Sequence, residues 1–125
     1  MLMPMGVRVF LVVEPVDLRG SFYRLAAHVR GLLGEDPQEG SLYVFLGKRG
    51  SLVKVLFWDR SGYCIFAKRL ERGRFHLPKD LPAGATRREV DFATLTLLLE
   101  GIDLHGARRR PPFQRLEFGR TRPTT

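Results

Sequence analysis

Residues 42–70 read LYVFLGKRGSLVKVLFWDRSGYCIFAKRL, and the fold turns on how this stretch divides. Three apolar, aromatic-rich runs, Leu42–Leu46, Leu52–Asp59 and Tyr63–Leu70, are separated by Gly47-Lys48-Arg49-Gly50-Ser51 and by Asp59-Arg60-Ser61-Gly62. Short runs of this composition bounded by Gly, Ser and Asp are strands. Asp and Gly at the outer positions of the second connector are favoured in a type I turn. Two consecutive hairpins make a three-stranded antiparallel meander. Within Leu52–Asp59, one face carries Leu52, Lys54, Leu56 and Trp58, and the other Val53, Val55, Phe57 and Asp59. Neither face is cleanly polar. A sheet apolar on both faces needs cover on both, from helices on each side or from a second subunit, so a homo-oligomer stays open.

Outward from the meander, Arg8–Val13 is apolar and β-branched and is stopped by Glu14-Pro15, which predicts a short strand. Ser21 is placed to cap a helix through its hydroxyl. Phe22, Leu25, Ala26, Val29, Leu32 and Leu33 then recur on one face with Arg24, His28 and Arg30 opposite, and Gly34 ends the helix. Downstream, Glu71–Arg74 is a turn, Phe75–Leu77 a brief extended piece and Pro78–Ala85 an irregular loop. Asp91 caps a second helix with Phe92, Leu95, Leu98 and Leu99 as its apolar stripe, and Gly101 ends it. The expectation is an α+β fold, a small antiparallel sheet in β-α-β-β-β-α order with two helices. Residues 1–104 form a single domain, and the arginine- and proline-bearing residues 105–125 form a basic, disordered tail.

A chain of 125 residues is long enough for one hydrophobic core and too short for two well-buried ones. No run approaches the ~18 apolar residues of a membrane span, and the N-terminus has neither the charged region nor the cleavage site of a secretory leader. The single cysteine, Cys64, rules out an intramolecular disulfide and fits a reducing, cytoplasmic setting. Cys64 lies mid-strand with Phe66 on its own face and is expected as a buried structural thiol.

The net charge of +8 is unevenly spread: residues 47–74 hold eight basic groups against Asp59 and Glu71, and residues 104–125 hold six Arg against one Glu. Such concentration is the electrostatic footprint of a polyanion binder; the rival reading is a solvated, arginine-rich surface. Arg19, Lys48, Arg49, Lys54, Lys68, Arg69, Arg72 and Arg74 are the candidate set for contacts to a DNA backbone. Lys54 is the weakest member of the set, since it sits inside a strand where covering apolar surface with its stem is the rival role. Phe45, Phe57, Trp58 and Phe66 are expected to fill a core or an interface, with stacking on an exposed base the less favoured alternative for Phe57 and Trp58.

Chemistry finds little support. His28, His76 and His105 have no metal-ligand spacing to Cys64 or to one another. Gly47-Lys48 lacks the upstream glycine and following hydroxyl of a phosphate loop, and no G-x-S-x-G elbow occurs. Asp17, Asp59, Glu71 and Asp103 are the carboxylates a metal-dependent nuclease would have to use, and nothing in their spacing singles them out. No catalytic residue, metal or cofactor is expected.

The segments GVRVFLVVEPVDLRGSF, LYVFLGKRGSLVKVLFWDRSGYCIFAKRLERGRFHLP and LLLEGIDL, in this order from about Gly6 to Leu104, resemble the accessory protein of bacterial insertion sequences of the IS sixty-six family. That protein is the product of the second open reading frame, often labelled TnpB and unrelated to the RNA-guided nucleases of the same label. Leu52–Phe75 is the most specific piece. The resemblance implies a protein encoded beside a transposase and needed for efficient transposition, and leaves its biochemical step open. With the charge pattern, it points to a non-enzymatic accessory protein acting through DNA backbone contacts, contacts to the transposase of the same element, or both; the alternative is a protein-interaction module that dimerises or binds the transposase without touching DNA. The resemblance supplies no catalytic residues. Gly20-Ser21 departs from the Lys-Gly pair that commonly follows the family's P-V-D-[ML]-R segment, which leaves Arg19 as the cation there.

Overall fold

Val9–Val12 (β1) buries all four of its side chains in the computed structural model, which describes residues 6–13, 16–78 and 81–101. A strand buried on both sides can exist only inside a sheet covered on both faces. Helix α1, Phe22–His28, follows β1 and runs on into a π-helical segment, Val29–Leu33. Then come β2 (Leu42–Leu46), β3 (Leu52–Asp59), β4 (Gly62–Arg69), β5 (Arg87–Val90) and α2 (Phe92–Leu99). The sheet order is β4-β3-β2-β1-β5.

The expected meander is present: β2 pairs antiparallel with β3, and β3 with β4. The sheet as a whole differs from the small antiparallel one expected. β1 pairs parallel with β2, Phe10 opposite Tyr43, because α1 carries the chain back across the sheet before β2 begins. A fifth strand, β5, pairs antiparallel with β1 from Val9↔Val90 to Val12↔Arg87, so the sheet is mixed and five-stranded. The sequence of β5, RREV, has no apolar run to announce it, as befits a short, charged edge strand. Phe75–Leu77 forms no strand, although Phe75 is buried in the core.

The two faces of the sheet are covered by one helix each. On one side Phe10, Val12, Tyr43, Phe45 and Leu56 pack with Val16, Leu18 and the inner side chains Leu25, Ala26, Val29 and Leu33. On the other, Val9, Leu11, Val44, Val53 and Val55 pack with Phe75 and with Leu95 and Leu98 of α2.

Local chemistry departs from expectation at four points. Ser21 occupies the N-cap position with extended backbone, but its hydroxyl caps nothing; its carbonyl accepts from the N–H groups of Arg24 and Leu25. The first helix does not stay α-helical: in the π segment the Gly34 N–H donates to the Val29 carbonyl, and this wider turn carries Leu32 round to the surface while Leu33 stays buried. Gly34 then takes the left-handed conformation expected, φ 65°. Arg60 has φ 54°, which a type I turn does not allow; the positive φ belongs to the mirror-image turns that match the twist of paired strands. Phe22 and Phe92, expected on the apolar stripes, are 42% and 55% exposed. The expected tail, with Asp103 and His105, falls outside the described residues.

Asp91 caps α2 as expected, its Oδ1 accepting from the Thr94 N–H at 2.8 Å. Hydrogen bonding from the Thr94 side chain and then its backbone N–H holds the Asp91 carboxyl below its usual range. A carboxyl depressed in the folded state stabilises it above the unfolded value near ~4, and the contribution fades as pH falls through the folded value. Asp91→Ala should therefore lower the unfolding free energy by about 1 kcal/mol in neutral-pH urea titrations. The difference from the parent chain should shrink when the titrations are repeated in acid.

Candidate nucleic-acid interface

Because β1 and β2 run parallel, both end at the same end of the sheet. β3 starts there, with Val53 opposite Leu46, and β4 finishes there, with Arg69 opposite Leu52. Three connections therefore meet at this end: residues 16–20 after β1, the β2–β3 hairpin loop 47–51, and residues 70–75 after β4. Backbone bonds fasten them together. Val16 N–H donates to Leu46 O, Leu70 N–H to Ser51 O at 2.8 Å, and Phe75 N–H to Gly50 O at 2.8 Å. The Arg74 side chain lies against Gly50, whose φ of 79° suits glycine.

The expected cations divide into two groups. Arg19, Lys48, Arg49, Arg69, Arg72 and Arg74 are exposed, and all six stand on these three connections or at the adjoining end of β4. Arg19 is engaged by Asp17, through its Nε and Nη2 and a 2.7 Å ion pair. Those hydrogen bonds hold the Asp17 carboxyl far below the usual carboxylate range. Arg19 thus contributes its reach more than its net charge.

Lys54 and Lys68 belong to the fold instead. Lys54, on the α1 side, donates its Nζ to the Leu18 carbonyl and so pins the 16–20 connection to β3. Lys68, on the α2 side, donates to the Leu99 carbonyl at 2.8 Å, at the C-terminal end of α2 where a cation is favoured. Arg60 turns the β3–β4 hairpin at the opposite end of the sheet.

Of the aromatics, Phe45 is fully buried and Phe57 packs partly buried against the α2-side core. Trp58 is half-buried and belongs to neither core cluster, and Phe66 is 47% exposed. Cys64, expected as buried, is half-buried, because β4 is an edge strand. The carboxylates a nuclease would need are scattered. Asp59 and Glu71 flank the two ends of β4, roughly 24 Å apart at ~3.4 Å per residue, too far to share a metal ion. Among the described residues no three His, Cys, Asp or Glu side chains group to hold a metal. No helix among them is long and apolar enough to cross a membrane.

Sequence periodicity does not announce a second cluster, on the α1 side. Arg8 and Arg87 both place their guanidinium carbons over the Phe10 ring, at 4.9 and 5.3 Å. Arg8 pairs with Glu89, and Arg87 with Glu35 while donating to the Leu33 carbonyl. These pairs join residues more than fifty positions apart, beyond the reach of local patterns.

A family model described as "IS66 Orf2 like protein" matches residues 7–109. The chain is similar to the uncharacterized protein y4hO of Sinorhizobium fredii, 42% identical over 104 residues that cover 82% of this chain and 88% of that relative. It is also similar to the uncharacterized protein y4jC of the same organism, at 32% identity over 106 residues covering 85% and 88%. No solved structure matches.

The two groups of cations should separate by mutation. Lys68→Met leaves the Leu99 carbonyl without its partner and should cost about 1–3 kcal/mol of stability. Arg72→Ala, on an exposed turn, should stay within about 0.5 kcal/mol of the parent in the same denaturant unfolding experiment.

Proposed function

Since the chain belongs to the IS66 Orf2-like family and its role is therefore transposition-associated, we propose that it is a non-catalytic accessory protein that binds DNA through the basic end of its sheet. The observation that carries this reading is the meeting of Arg19, Lys48, Arg49, Arg69, Arg72 and Arg74, all exposed, from three connections and the adjoining end of β4, held at one end of the sheet by backbone hydrogen bonds. Guanidinium and ammonium groups held in this way contact phosphates and release condensed counterions, which gives affinity without sequence reading. Among the described residues of these connections, Asp17 and Glu71 are the acids.

A second reading, docking on the transposase of the same element or on a second copy of this chain, draws support from β4. It is an eight-residue edge strand whose outer backbone has no sheet neighbour among the described residues, and its Phe66 is 47% exposed. Long, apolar edge strands invite pairing with another chain.

Gel shifts distinguish the two. Duplex DNA should bind at low salt and weaken steeply as salt is raised. Replacing Arg49, Arg69, Arg72 and Arg74 together by Ala should lower the affinity and flatten the log–log salt slope by about 0.9 for each phosphate that is no longer neutralised. Absence of DNA binding at low salt removes the first reading. Co-purification with the transposase that survives the quadruple substitution favours the second.

A further inference from the structure

Outside the basic end, the surface carries an aromatic cluster of which only Tyr63 packs, half-buried, against a core. On the α1 side of the β3–β4 hairpin, Trp58 lies opposite Tyr63, with ring centroids 4.9 Å apart and planes at 76°. Tyr23 of α1 meets Tyr63 edge-on at 6.0 Å and is 73% exposed. Arg30, also exposed and seven residues, about two helical turns, after Tyr23, donates its Nη2 to the Tyr63 hydroxyl at 3.2 Å. The cluster is therefore oriented, cationic on one flank and open to solvent. Ring burial cannot account for Tyr23, which leaves about three-quarters of its surface in water.

The cluster is continuous with the basic end. Along β4 the side chains on the α1 side are Tyr63, Ile65, Ala67 and Arg69, since Tyr63 and Ile65 pack toward the α1-side core and residues two apart share a face. The strip runs roughly 20 Å, six residues at ~3.4 Å each, from the aromatic cluster to a cation of the basic end. Tyr23 is itself four residues from Arg19. Cations tracking a backbone beside open aromatic rings are the pattern that holds single-stranded nucleic acid, because every unpaired base offers a π-face. Within a duplex those faces are covered by neighbouring base pairs, and only the phosphates remain for the basic end.

We propose that Tyr23, Trp58 and Tyr63, with Arg30, form a stacking platform for unpaired bases of single-stranded DNA, whose adjoining backbone lies on the basic end. The proposal rests on the DNA-binding reading of that end and adds the strand state of the DNA it takes.

Trp58 is the chain's one tryptophan, so its emission reports on the platform alone. The full chain is titrated with oligothymidylate, with a blunt hairpin duplex and with heparin, which carries charge but no bases, at equal ionic strength. Oligothymidylate should quench Trp58 emission and bind more tightly than the duplex, and heparin should bind without quenching. Tyr23→Ala, a change at an exposed site, should weaken oligothymidylate about tenfold and leave duplex and heparin affinity unchanged. Equal affinity for single strand and duplex, no quenching and no effect of Tyr23→Ala overturn the platform while leaving the basic end as a DNA site. If no polyanion binds at low salt, the DNA-binding reading falls as well. If transposase quenches Trp58 and oligothymidylate does not, the cluster is a protein contact and the proposal is overturned.

Discussion

β2 is apolar on both of its sides, with Tyr43 and Phe45 toward one face and Leu42, Val44 and Leu46 toward the other, and all five are buried. A strand of this kind has to lie inside the sheet and be covered twice. The cover comes from α1 with its π segment and from α2, helices of seven and eight residues that would be marginal in isolation and are held by the apolar faces they bury. Placing α1 between β1 and β2 in the chain returns the backbone to its starting end before β2 begins, which makes the pair parallel. Parallel pairing brings the connections after β1 and β2 to one end of the sheet, and the antiparallel hairpins add the connection after β4. The address of the basic residues thus follows from the need to bury β2.

The same packing decides which cations are held and which stand free of the fold's own needs. Lys54, Lys68 and Arg87 are partly buried, and each donates to a main-chain carbonyl: Leu18 in the first connection, Leu99 at the end of α2, Leu33 at the end of the π segment. Their stems cover apolar surface while their charged ends satisfy carbonyls that no helix or strand partner reaches. Two of them, Lys54 and Lys68, hold residues 16–20 and β4, from which Arg19 and Arg69 project. Charge density along the sequence cannot make this distinction, since Lys68 and Arg69 are neighbours that point to opposite faces of the same strand.

The meander, the two helices, the Asp91 cap and the glycine stops at Gly34 and Gly101 were legible because each rests on local periodicity or on one residue's conformational preference. β5 was not, because Arg87, Arg88 and Glu89 look like a loop until β1 supplies their pairing partner. The parallel β1–β2 pair was hidden for a related reason: strand direction depends on where the helix travels in space. The π segment escaped notice because Leu32 and Leu33 suit an α-helical stripe equally well, and only the sheet's surface selects between them. For the candidate site, the residue types were readable and their division into holding and projecting groups was not. The aromatic strip could not be read because Tyr23 and Tyr63 meet across forty positions.

The register of the β3–β4 hairpin ties this edge of the sheet to its surface chemistry. Strand side chains alternate with a period of two, so a slip of one residue in β4 would turn Tyr63, Ile65 and Arg69 toward α2 and bring Cys64, Phe66 and Lys68 to the α1 side. Lys68 would then lose the Leu99 carbonyl, and Tyr63 would lose Arg30, Tyr23 and Trp58. The hairpin closes through a two-residue turn in which Arg60 adopts a left-handed φ, a conformation glycine would take more easily. An arginine is tolerated there because the paired strands on either side, from Asp59↔Gly62 to Leu52↔Arg69, over-determine the turn. The eight paired positions thus hold the turn, and the register they fix keeps the aromatic rings and Arg69 on one face.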